Sequence, residues 1–382
     1  MKRSEVIGQE EAWQRLMGMV DENRVPHALL FCGPAGCGKM ALALAFASYL
    51  LGERDGDESE AARRTTAMLA KWEHPDLHFS YPTIKLASWP AEHKPVSLDF
   101  VKEWQQMLTD CGPYLQLDEW MKRMATNDSD LNKQAIITAA ESEAIAHNVN
   151  LMSSQGGYKI SLIWLAERMN KDCANKLLKL LEEPPKQTVF ILVSEAPELL
   201  LETIRSRTQR IDLKKIDSPA LEQALVDKRR LSPDDARRLA RIANGNWNQA
   251  LQQLTNGNEN EQFFDLFTML MRLAYMRKIR DLKKWCDIVA AFGREKQKRM
   301  LDYFMHMLRE SFMYNFGQQQ LVYMTQQEED FAKNFARFIN EANVIDLFNL
   351  LDENKKMIMQ NANPKILFFD MVLKIIVLLI RK

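Results

Sequence analysis

Apolar positions run together through residues 27–32, HALLFC, and give way at once to Gly33-Pro-Ala-Gly-Cys-Gly-Lys39. Beyond it KMALALAFASYLLG stays almost wholly apolar up to Gly52. The short run predicts a buried strand, and the longer one a helix that Gly52 ends. Two further core strands are signalled at 158–166, YKISLIWLA, and 188–194, TVFILVS. Between them NKDCANKLLKLLEEPP, 170–185, predicts an amphipathic helix with Asn170 as its N-cap and Pro184-Pro185 as its stop. Strands alternating with helices imply a parallel sheet covered on both faces.

Past about residue 213 the strand signal ends. LSPDDARRLARIANGN, 231–246, predicts a helix with a Ser232 cap, Pro233 in its first turn, acids at its start and Gly245 at its close. From about 259 onward the chain reads helical, aromatic and methionine-rich. Residues 53–64, ERDGDESEAARR, are charged and predicted to face solvent. The stretch 82–155 holds helix-like pieces at Leu98–Leu108 and Gln134–His147, broken by prolines and polar residues. ILFFDMVLKIIVLLI, 366–380, is too short for a span of about 20 residues, and Asp370 and Lys374 interrupt it. It predicts a buried helix or an oligomer contact, with those two charges paired on one face.

Composition narrows the picture. A chain of 382 residues is expected to form two or three domains. Its 51 basic and 51 acidic residues cancel, so no global field points to nucleic acid. The five cysteines, Cys32, Cys37, Cys111, Cys173 and Cys286, are scattered without a C-x-x-C pair. That argues against a disulfide framework or zinc site and suits a reducing cytoplasm. MKRSEVIGQEEAW has no apolar core of the kind a signal peptide needs.

The candidate chemistry lies in the glycine stretch. Gly33, Gly36, Gly38 and Lys39 fit the phosphate-cradling loop G-x-x-x-x-G-K, flanked by the strand and helix that loop requires. The next position should carry a hydroxyl for magnesium, and here it is Met40. The strand at 158–166 should close on carboxylates, and Trp164 and Leu165 stand there, with Glu167 two residues late. Losing both sets of metal ligands implies a decayed ATPase site. A glycine turn kept for packing accounts for the loop, and weak nucleotide contact through Lys39 is left open.

Four segments then carry a resemblance: IGQEEAWQRLMGMVDENRVPHALLFCGPAGCGK, ERMNKDCANKLLKLLEEPPKQTVFILVSEAPELLLETIRSRTQRI, LARIANGNWNQAL and NANPKILFFDMVLKI. The chain resembles the bacterial clamp-loader AAA+ family, and its delta-prime type more than the ATP-hydrolysing gamma/tau type. The resemblance implies an α/β AAA+ P-loop domain over 1–212, expanded at 82–155, a small helical lid at 213–258 and an all-α collar at 259–382. It implies a non-catalytic, cytoplasmic stator of the DNA polymerase III holoenzyme. Its partners would be gamma/tau and delta subunits and, indirectly, the sliding clamp and primer-template DNA, with no membrane. No cofactor is expected on this chain, since ATP would be bound by its partners.

Ser206-Arg207-Thr208 matches the family's Ser-Arg-Cys motif. The resemblance makes Arg207, with Ser206, a finger reaching the γ-phosphate in a neighbouring gamma subunit, where a guanidinium can neutralise transition-state charge. An ordinary solvated arginine is the plainer alternative, since RSRTQR holds three. The family's four-cysteine zinc module is not carried over, because no cysteine lies between Cys37 and Cys111. Trp247 and Asn248 stand where active members have a nucleotide-sensing lid arginine. Two other functions compete: an active P-loop ATPase of the gamma/tau or another AAA+ type, and a stand-alone DNA-binding protein. The second is disfavoured by zero net charge and the lack of a concentrated basic stripe.

Overall fold

The computed structural model describes every residue except 55–58, 132, 155, 256, 316–323, 361 and 382. Four residues of the charged stretch 53–64 therefore lie outside the described residues, as do two positions of the 82–155 expansion. The chain divides into two compact units, Met1–Ala250 and Leu251–Lys382.

The first unit is built on a parallel five-stranded sheet of order β2-β3-β4-β1-β5. Its strands are β1 (Ala28–Cys32), β2 (Leu77–Ser80), β3 (Lys159–Trp164), β4 (Thr188–Ser194) and β5 (Gln209–Asp212). Every residue of β1, β3 and β4 is buried, while the edge strand β5 buries only Ile211. That is the apolar signature of strands covered on both faces. Register is set by pairs such as Leu29 with Ile191, and Leu162 with the same Ile191 from the other side.

Helices pack on the sheet and continue beyond it along the chain. In chain order they are α1 (Glu10–Asp21), α2 (Lys39–Leu50), α3 (Glu60–Ala70), α4 (Val101–Cys111), α5 (Leu117–Met124), α6 (Asp128–Leu131) and α7 (Ala139–Asn150). They continue with α8 (Lys171–Glu182), α9 (Glu202–Arg205), α10 (Ser218–Arg229), α11 (Pro233–Ala243) and α12 (Trp247–Thr255), the last running across the division between the units. The predicted caps form. Asn170 accepts a hydrogen bond from the Cys173 amide at 2.8 Å, and Ser232 from the Asp235 amide at 3.2 Å. Each satisfies an amide that the first helical turn leaves without a partner.

The expanded stretch differs from its sequence reading in two places. The helix expected from Leu98 begins as a 3-10 turn, Ser97–Phe100, before α4. The helix expected from Gln134 begins only at Ala139, because Ile136 and Ile137 are drawn into bridges with Thr83 and Met169. An aromatic cluster holds the stretch together: Tyr81 stacks on Trp104 with ring centroids 4.1 Å apart, and Trp104 meets Trp120 edge-on at 5.3 Å. The Trp120 indole donates to the Pro82 carbonyl at 2.7 Å. Glu141 of α7 accepts from the Ser80 hydroxyl at 2.6 Å and the Ser97 amide at 2.7 Å. Burial pushes its carboxyl above the usual range, and those donors hold it partly back.

Among its described residues the second unit forms helices and no strand: α13 (Gly257–Tyr275), α14 (Ile279–Ala290), α15 (Arg294–Tyr314), α16 (Gln326–Phe335), α17 (Val344–Met359) and α18 (Pro364–Leu378). Its core centres on Phe263, Phe267, Trp285, Phe304 and Phe368. α18 supplies Leu367, Phe368, Met371, Val372, Ile375 and Leu378 to that core. Its other face exposes Ile366, Leu373 and Val377, continued by exposed Ile380 in the turn that follows, with Asp370 and Lys374 paired at 2.7 Å as their spacing predicts. Among the described residues no helix is long and apolar enough to cross a membrane.

Candidate functional site

The glycine loop lies where β1 runs into α2, as the apolar pattern requires. Gly36 and Gly38 both take the left-handed backbone region, at φ 69° and 94°. Both are also crowded. A Cβ on Gly36 would fall 1.8 Å from the Asn246 side-chain oxygen, and one on Gly38 would fall 3.3 Å from the ring of Tyr114. Only glycine fits at Gly36 without displacing its neighbour. The Trp247 amide donates to the Gly36 carbonyl at 3.1 Å, and the Gln9 amide group donates to the Cys37 carbonyl at 2.9 Å. The loop is thus fastened from both sides by its own chain.

Lys39 is 5 % exposed. Its ammonium donates to the Pro34 carbonyl at 2.6 Å and pairs with Glu195 at 3.3 Å. A carboxylate there satisfies the charge that a phosphate would otherwise claim. Glu195 was not singled out in the sequence; its signal is a charged residue immediately after the core strand TVFILVS. Glu167 accepts from the Glu195 amide at 3.1 Å, so the late carboxylate is turned to the end of β4. Met40, Trp164 and Leu165 are all buried. Trp164 packs against Trp104 of the expanded stretch with ring centroids 5.3 Å apart. The residue standing at the expected carboxylate position is therefore an anchor for α4.

Between these groups the loop keeps a cavity of only about 20 Å³, lined by Gly36, Gly38, Lys39, Trp164 and Glu195, with Pro113, Tyr114 and Leu115 on the facing side. Among the described residues no cluster of three or more histidine, cysteine or acidic side chains is placed to hold a metal. Gly33 packs instead against Leu213, where an added Cβ would fall 2.7 Å from a backbone oxygen.

Ser206 and Arg207 do not line this cavity. They follow α9 and lead into the edge strand β5, which places Arg207 at a border of the sheet. Its guanidinium donates to the Thr203 carbonyl at 3.1 Å and pairs with Glu182 at 2.7 Å, with its side chain 38 % exposed. The Ser206 hydroxyl donates to the same Thr203 carbonyl at 3.1 Å.

The sequence reading also passed over a basic corner of the second unit. Arg272, Arg277, Lys278, Arg280, Lys283 and Lys284 are all exposed around the α13–α14 turn, beside exposed Tyr275. Of these six, only Lys284 has an ion pair among the described residues, with Asp281 at 3.3 Å. The whole-chain balance of zero hid this local excess.

A family model described as DNA polymerase III, delta subunit, matches residues 8–217. The DNA polymerase III subunit delta' of Bacillus subtilis is 26% identical over 236 residues, covering 62% of this chain and 56% of that protein. The corresponding subunit of Pseudomonas aeruginosa is 31% identical over 200 residues, 52% of this chain and 45% of that protein. The gamma/tau subunit of Mycobacterium tuberculosis is 28% identical over 205 residues, 54% of this chain and 27% of that protein. The chain thus spans about half the length of the delta' relatives it matches. Among solved structures, a gamma subunit-related protein of Thermotoga maritima aligns over 96% of this chain and 99% of its own at 13% identity, with a TM-score of 0.37.

Proposed function

The chain belongs to the DNA polymerase III delta-subunit family, and from that membership we propose that it acts as a non-catalytic, delta-prime-like stator of the clamp loader. In this role it binds gamma/tau and delta subunits in the cytoplasm, helps place the sliding clamp on primed DNA, and leaves ATP to its partners. Its arrangement would be an AAA+ domain over 1–212, a lid over 213–258 and a collar over 259–382. Arg207, with Ser206, would serve the neighbouring ATP site from the border of the sheet.

The observation that carries the non-catalytic reading is the state of Lys39, held by Pro34 and Glu195 beside Met40 and Trp164 where metal ligands would be needed. Without the hydroxyl and carboxylates that the motif places to hold magnesium, the charge on a transferred phosphoryl group goes uncompensated. The isolated chain is expected to release phosphate from ATP and magnesium no faster than its Lys39→Ala variant. A clear excess over that variant would instead support an active ATPase.

Direct contact with nucleic acid is a second reading, favoured by the basic corner around Arg277. Phosphate contacts release counterions, so each one lost lowers the slope of log affinity against log salt by about 0.9 on duplex DNA. Arg277→Ala/Lys278→Ala/Arg280→Ala should weaken binding to primed DNA, measured by fluorescence anisotropy, and flatten that slope by about 2 to 3. Identical affinity and slope in both proteins would remove this reading.

A further inference from the structure

We propose that Pro113-Tyr114-Leu115 form a built-in plug in the nucleotide cradle, and that the Tyr114 ring is the group that keeps nucleoside triphosphates out. The inference rests on reading this loop as an unused nucleotide site, and it gives the 82–155 expansion a task.

Tyr114 crowds the site of an added Cβ on Gly38, its ring carbon 3.3 Å and its hydroxyl 3.4 Å away, closer than a Cβ normally approaches a neighbour. It therefore covers the loop glycine immediately before Lys39. Three things fix it there. Its hydroxyl accepts a hydrogen bond from the buried Ile7 amide at 2.8 Å. Trp247 backs the ring with centroids 5.8 Å apart. Gly112, at φ 68°, ends α4 and lets the chain turn down into the cradle. α4 is itself pinned by Trp104 against Trp164.

What remains is a cavity of about 20 Å³. That is room for one water molecule, which needs about 10–15 Å³, whereas small-molecule sites run to some hundreds of Å³. A triphosphate can enter only if the ring leaves, and its apparent affinity is then reduced by the fraction of molecules already open. Leaving costs the ring its burial and the Ile7 amide its acceptor, so that fraction is small.

The test is an equilibrium titration of the full chain with a fluorescent ATP analogue, with and without magnesium, beside a phosphate-release assay. The unmodified chain and Tyr114→Phe, which keeps the ring, should show no saturable binding up to roughly millimolar ligand. Tyr114→Ala should bind about tenfold or more tightly, be competed by ATP, and lose that binding when combined with Lys39→Ala. It should still release no phosphate. Tyr114→Leu replaces the alanine variant if the latter does not melt cooperatively, and should gain binding in the same direction. A melting temperature of the unmodified chain that rises with ATP would overturn the plug, whatever the variants do. So would a folded Tyr114→Ala or Tyr114→Leu chain that binds no better than the unmodified one. Phosphate release by the unmodified chain would instead overturn the non-catalytic reading, so the two failures are told apart.

Discussion

Replacing Arg207 by alanine is expected to cut ATP turnover of the reconstituted loader by about an order of magnitude, measured with clamp and primed DNA present. The chain's own melting temperature should move by no more than about 2 °C. The second expectation follows from what Arg207 touches. Its partners are Glu182, half-exposed, and the Thr203 carbonyl, and an exposed ion pair contributes about 0–1 kcal/mol. The same weakness makes release cheap: a phosphate group from a neighbouring subunit has only to outbid one solvated carboxylate. Arginine fingers in small GTPases are worth about a thousandfold or more, but under the proposed role only one of several ATP sites in a loader would face this chain, so the assembly would lose less. Arg205→Ala is the control, since Arg205 is exposed and has no ion pair among the described residues. Turnover that stays unchanged in a correctly assembled Arg207→Ala complex would remove the finger role.

Removing residues 365–382 is expected to unfold the second unit outright while the first keeps its sheet. α18 gives six side chains to one core, and loss of Phe368 alone should cost about 3–5 kcal/mol, a large part of what holds such a unit together. Limited proteolysis should then leave a resistant fragment ending near Ala250. The deletion cannot by itself show what the exposed face of α18 is for, because an unfolded unit assembles with nothing. Val377→Glu/Ile380→Glu separates the two. Both positions are more than half exposed, at 58% and 53%, so charges there should leave the melting curve nearly unchanged. If that apolar face meets partner subunits, the double variant should lose most of its co-purification with gamma/tau and delta. Retention of full assembly by a folded double variant would place the contact elsewhere.

The elements read most accurately in the sequence were those whose signals are local. β1, β4, α8 and α11 each carry an unbroken apolar run or a cap at the expected offset, and the structure places them within a residue or two. Ile136 and Ile137 show where local signals fail: the surrounding alanines favour a helix, yet pairing with Thr83 and Met169 holds them extended. The missing metal ligands at Met40, Trp164 and Leu165 were legible as single letters. Their replacement was not. Tyr81, Trp104, Trp120 and Trp164 lie far apart along the chain and share no period, so nothing local says that they form one cluster, or that it brings Tyr114 over the loop. Glu195 went unnoticed for the same reason, since its partner Lys39 is brought to it by the β1–β4 pairing alone.

The packing of Trp164 on Trp104 also bears on descent. If an ancestor of this chain bound magnesium, its way back is closed to single substitutions. Trp164→Asp alone would set a carboxylate among aromatic rings and leave a void beside Trp104, a loss of several kcal/mol before any metal could repay it. Met40→Thr alone would put a hydroxyl into a cavity of only about 20 Å³ beside Lys39 and its carboxylate partner. Each reversal is harmful until the others are made, and all must wait for the 82–155 stretch to let go. The arrangement works as a ratchet: a side chain standing at an expected metal-ligand position is also a support for the 82–155 stretch.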